Sequence, residues 1–116
     1  MIQKTVLLSN KIYHPTYLPT YLPVYIDSQT VFDGRLYELR VTCGPDYPVK
    51  APIVRFVSKI NLSSVNQQNG TVENSLPALA NWSRKSSIEN ILVSIKGTMT
   101  NSSNRRLGQP PEGSMF

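Results

Sequence analysis

A single thiol, Cys43, and a single imidazole, His14, are the side chains of this 116-residue chain best suited to nucleophilic or base chemistry near neutral pH. A cysteine nucleophile needs a base or cation that lowers its pKa, and no histidine lies near Cys43 in sequence. Strand alternation puts Cys43 on the side of Tyr37, Leu39 and Val41, where it reads as a small buried hydrophobe rather than a nucleophile. One cysteine and one histidine cannot supply a zinc shell, so no metal site is expected. Glu73 and Glu112 are lone carboxylates, read as solvated groups and not as an acid–base pair. No glycine-rich phosphate loop is present, and no cofactor is expected. None of these residues reads as catalytic machinery.

The elements that must position these residues centre on 35 to 61. Tyr37, Leu39 and Val41 alternate with Leu36, Glu38 and Arg40, as a half-buried strand requires. Gly44-Pro45-Asp46-Tyr47-Pro48 stops that strand, and Ile53-Val54-Arg55-Phe56-Val57 reads as its pairing strand. Residues 58 to 81 read as a long loop with a short pairing at Thr71-Val72, pinned by Leu76, Leu79 and Trp82; Trp82 reads as a packing residue. Ser86-Ser87-Ile88-Glu89 reads as a capping box formed by Ser86 and Glu89. Behind it Ile88, Ile91, Leu92, Ile95 and Met99 form one apolar face, which predicts a helix over 87–100. Pro110-Pro111 reads as an extended tail. The fold class is α+β: an antiparallel β-meander with a C-terminal helix packed on it.

Residues 1–26 differ from the rest. Tyr13, Tyr17, Tyr21 and Tyr25 recur at every fourth position, with Pro15, Pro19 and Pro23 between them. Such prolines forbid a helix, so the segment reads as low in complexity and poorly ordered, leaving 27–116 as the core domain.

The formal net charge of +5 invites nucleic-acid binding. The basic residues are scattered, however, with adjacent pairs only at Arg84-Lys85 and Arg105-Arg106, and no nucleic-acid module is visible. No apolar run approaches the ~20 residues of a membrane helix, and Val6-Leu7-Leu8 is too short for an export signal. A lone cysteine fits a reducing compartment, so Asn61-Leu62-Ser63 and Asn81-Trp82-Ser83 read as chance glycosylation triplets. The expectation is a nuclear and cytoplasmic protein with no nucleic-acid or membrane partner.

Tyr47-Pro48, Ala51-Pro52 and Val54-Arg55-Phe56 together resemble the proline-braced meander of the ubiquitin-conjugating enzymes. Arg35-Leu36-Tyr37, Cys43-Gly44-Pro45, Lys59-Ile60-Asn61 and Gln109-Pro110-Pro111-Glu112-Gly113 are more similar to their non-catalytic relatives, the ubiquitin-conjugating enzyme variants (UEV family). The resemblance runs from about Thr30 to Phe116. It implies a truncated ubiquitin-conjugating-enzyme-like fold without thioester chemistry. Active members carry a catalytic cysteine after a glycine turn; Gly70-Thr71-Val72-Glu73 stands there, so Glu73 marks the missing cysteine. Their His-Pro-Asn motif is replaced by Lys59-Ile60-Asn61-Leu62-Ser63. Lys11-Ile12-Tyr13-His14-Pro15 looks like the segment before that cysteine but stands on the wrong side of the meander.

The resemblance further implies two partners, an active ubiquitin-conjugating enzyme and a non-covalent acceptor ubiquitin. It assigns ubiquitin contact to Leu36 and Glu38, and chains linked through ubiquitin's lysine at position sixty-three, as in postreplication repair. Family members begin with a helix and a first strand. Here the prolines exclude that helix, and Val24-Tyr25-Ile26 reads as a short first strand covering the meander edge. Alternative readings are a partner-deficient regulatory fragment or competitor, and an active enzyme using Cys43.

Overall fold

Alternation of apolar side chains builds the sheet. The computed structural model describes residues 2–9 and 29–116. Strand β2, Leu36–Cys43, alternates half-buried and buried positions along its whole length. Tyr37, Leu39, Val41 and Cys43 therefore enter the core, while Leu36, Glu38, Arg40 and Thr42 line the outer face. The β-branched and aromatic strand β3, Ile53–Phe56, pairs antiparallel with it from Leu39↔Phe56 to Thr42↔Ile53.

The other neighbour of β2 is strand β1, Ile2–Ser9, antiparallel in unbroken register from Ile2↔Cys43 to Ser9↔Leu36. The sequence reading expected no strand here; among the described residues, 2–9 form the edge strand of the sheet. Val6-Leu7-Leu8 hides the alternation in sequence, because Leu7 is apolar on the outer side. Lys4 hides it too, on the same side as Val6 and Leu8, which are 2% and 1% exposed. The Val24–Ile26 strand and the tyrosine and proline repeats lie outside the described residues.

The far side of β3 is closed by the loop. The N–H of Val72 donates to Val54 O and that of Phe56 to Gly70 O, each at 2.8 Å. Arg55 bridges Thr71 and Val65 bridges Val72, so the expected short pairing at 71–72 is present. The loop also contains a short helix α1, Pro77–Ala80, which the sequence reading did not expect. Proline at its start tolerates the missing N–H, and Leu76 and Leu79 anchor it at 1% and 9% exposure. Trp82 packs as expected: its ring lies 6.0 Å from that of Tyr47, and its indole N–H donates to Pro48 O at 2.8 Å.

Helix α2, Ile88–Thr100, buries Ile91, Leu92, Ile95 and Met99 in one cluster with Leu39, Val41 and Phe56. Its cap lies one residue later than the sequence suggested. Ser87 accepts the Asn90 N–H at 3.3 Å, and Asn90 Oδ1 accepts the Ser87 N–H at 2.8 Å. Ser86 is already engaged, its hydroxyl accepting the Ser83 N–H at 3.1 Å. Asparagine at the third position thus plays the part expected of Glu89. Beyond the helix, the side-chain amide of the buried Asn104 donates to Ser63 Oγ at 2.8 Å and Thr98 O at 3.1 Å, locking the loop to the helix end.

The tail after Pro110-Pro111 is not merely extended. Ser58 bridges Met115, the Lys59 N–H donates to Ser114 O at 2.8 Å, and the Phe116 N–H donates to Val57 O at 3.0 Å. The chain end is a short ladder partner of the residues after β3.

Gly70 joins these parts. It has φ +81, and a β-carbon there would collide with Phe56 O and the Phe116 ring. Gly70→Ala is expected to cost at least about 2 kcal/mol, since strain and collision act together. A urea midpoint equal to the parent's would refute that placement.

Candidate functional site

The outer sheet face is built around Glu38. Alternation turns Leu36, Glu38 and Arg40 away from the core, and the β1 register sets Leu7 beside Glu38. On the other side the ladder breaks. The N–H groups of Val57 and Ser58 both donate to Glu38 O, at 2.9 and 3.3 Å, while the Glu38 N–H donates to Ser58 Oγ at 2.8 Å. Two residues facing one make a β-bulge, a device that bends a strand and re-aims its side chains. Ser58 in turn carries Met115 across its bridge. Leu7, Leu36 and Val57 are half-buried and Met115 is 56% exposed, so apolar side chains border Glu38 on one part of the face, while Arg40 and Arg55 pair on the other.

The structure thus brings Leu36 and Glu38 together on one face. Glu73 lies elsewhere, exposed in the loop beyond Val72, with its N–H donating to Ser64 O at 2.7 Å. Ser64 holds the left-handed conformation at φ 67. Asn61 is committed to structure: its side chain donates to Gly108 O at 3.1 Å, and its backbone is clamped by both ends of the Gln109 amide. Cys43 is 7% exposed, with Ile2 opposite it in the sheet. Sequence reasoning missed Ser58 and Met115. No local pattern in the sequence announces their pairing, which backbone groups far apart in the chain make.

A cavity of about 140 Å³ beside Thr42, Gly44, Tyr47, Ala51 and Ile53 has only the exposed Lys50–Asp46 pair, 3.8 Å apart, for charge. It is well below the size of an ordinary small-molecule site. Among the described residues no group of three or more His, Cys, Asp or Glu could hold a metal ion. No helix among them is long and apolar enough to cross a membrane.

Comparison with known proteins accounts for this architecture. The family model for ubiquitin-conjugating enzyme matches residues 20–112. This chain belongs to the ubiquitin-conjugating enzyme family. Its relatives place it in the variant branch. Ubiquitin-conjugating enzyme E2 variant 1D of Arabidopsis thaliana is 48% identical over 88 residues, covering 75% of this chain and 60% of the relative. The variant MMS2 of Saccharomyces cerevisiae is 39% identical over 84 residues, covering 72% and 61%. A solved structure of a Plasmodium yoelii protein described as a ubiquitin-conjugating enzyme is 26% identical, with a TM-score of 0.57 over 66% of this chain and 49% of its own. The chain spans about three-fifths of the length of these curated relatives. As a UEV-family chain, it presents Leu36 and Glu38 on the open face of the family's meander.

One ionisable group beneath this face is displaced. Tyr37 is 2% exposed, with Arg35 as the cationic neighbour of its hydroxyl. Burial pushes its pKa from 10.0 up to about 12, partly opposed by Arg35 and reinforced by Glu112. The folded state therefore holds this proton more tightly than the unfolded one. The resulting stability is whole below pH 10 and is lost as pH rises through about 12. Melting temperature is expected to fall more steeply over that window in the parent than in Tyr37→Phe. Parallel profiles would show that Tyr37 titrates normally.

Proposed function

We propose that this chain is a non-catalytic partner of an active ubiquitin-conjugating enzyme and holds the acceptor ubiquitin on its outer sheet face. The acceptor's lysine at position sixty-three then attacks the thioester carried by the partner. The observation that carries this reading is Leu36, kept out of the core on the open face of a variant-family meander. The chemistry is positioning: a bound acceptor raises the effective concentration of its amine and fixes its approach, without any bond to this chain. Glu73 stands where the family's thiol is expected, and a carboxylate there cannot form a thioester. Buried Cys43 and the structural commitment of Asn61 support the same view. A role in postreplication repair, within nucleus and cytoplasm, belongs to this proposal.

Reconstitution with activating enzyme, an active conjugating enzyme and ubiquitin tests it. Chains linked through the lysine at position sixty-three are expected to form faster with this chain present. No adduct reducible by thiol is expected on the chain itself. Slower chain assembly would instead identify a competitor that occupies ubiquitin without delivering it. Cys43→Ala is expected to leave chain assembly intact, with a packing loss of about 1 kcal/mol. A reducible ubiquitin adduct that disappears in this variant would establish the opposite.

Leu36→Ala is expected to weaken ubiquitin binding about threefold to tenfold and to slow chain assembly to match, with melting temperature and partner binding unchanged. Titration of labelled ubiquitin measures the first effect. Parental shifts in the variant would remove Leu36 from the contact surface.

A further inference from the structure

We propose that Met115 is an additional ubiquitin-contacting residue, and that the chain's C-terminal ladder is the third rail of the acceptor face. The inference rests on the reading of Leu36 and Glu38 as acceptor contacts. Its own basis is the register. Leu7 lies opposite Glu38 on one side, Val57 and Ser58 share its carbonyl on the other, and Met115 is bridged to Ser58. These residues form one transverse row across the sheet, and paired residues in a row present their side chains to the same face.

Exposure fits the same placement. Ser114 and Phe116 are half-buried, and the Phe116 ring packs against the core, whereas Met115 between them is 56% exposed. Alternation in an extended segment turns Met115 away from the core when Phe116 turns inward. Its backbone is fixed by the Lys59–Ser114 and Phe116–Val57 hydrogen bonds on either side. Methionine in this position offers a flexible, polarizable side chain that adapts to an apolar partner surface. The occupant is therefore ubiquitin itself, bound over a rim of Leu7, Leu36, Val57 and Met115. Continuity with the Leu36 contact selects it over a second partner.

The test is titration of labelled ubiquitin with the full chain carrying Met115→Ala, Met115→Asp or Met115→Leu, with Leu36→Ala alongside. Affinity is expected to fall about threefold to fivefold for Met115→Ala. It is expected to fall at least about tenfold for Met115→Asp, which forces a charge into an apolar contact, and to stay within about twofold for Met115→Leu. Melting temperature is expected to stay at the parental value throughout, separating contact from stability. Parental affinity in Met115→Asp would overturn the proposal. If Leu36→Ala is weakened in the same experiment, only the Met115 contact falls; if Leu36→Ala is also parental, the reading of the whole face falls with it.

Discussion

The burial of one side of β2 against the apolar stripe of α2 is the constraint from which the rest follows. Leu39, Val41 and Phe56 share a single cluster with Ile91, Leu92, Ile95 and Met99, and all but Ile95, at 1%, are fully buried. A strand has period two, so committing Tyr37, Leu39, Val41 and Cys43 to that cluster obliges Leu36, Glu38, Arg40 and Thr42 to face outward. A slip of one residue would bury Glu38 and Arg40 without partners, at a cost that ordinary stability could not absorb. The open face and its fixed orientation are thus consequences of the core.

The outer face then depends on how the sheet ends. The bulge at Val57-Ser58 uses both backbone groups of Glu38 and turns the chain toward its own C-terminus. Gly70 allows Phe116 and the Phe56 backbone to approach closely, and Arg35 donates to Pro110 O to hold the returning segment. Without these contacts the residues after β3 would form an unpaired edge. With them, the last three residues extend the surface that the core has set in place.

Much of this was legible because binary pattern and local propensity agree in the centre of the chain. The β2 alternation, the β3 run, the α2 stripe and the core placement of Cys43 all follow from side-chain periodicity. The helix cap shifted by one residue because two adjacent serines offer the same chemistry, and only the competing Ser83 N–H decides between them. β1 was obscured because Lys4 breaks its apolar side and Leu7 decorates its polar one. The Met115 pairing joins residues far apart in sequence, and no local pattern announces a bridge made by backbone groups. Of the expected contact residues, Leu36 and Glu38 were readable from alternation plus family resemblance. Ser58 and Met115 were not, because their placement depends on the bulge.

The central claim is that ubiquitin rests non-covalently on this outer face. Hydrogen–deuterium exchange of the full chain, with and without saturating ubiquitin, tests it most directly. The account predicts slowed exchange over residues 36–40, 57–59 and 114–116, with little change around Gly44–Lys50 or Trp82. Protection confined to Gly44–Lys50 and Trp82, with the outer face unaffected, would contradict it.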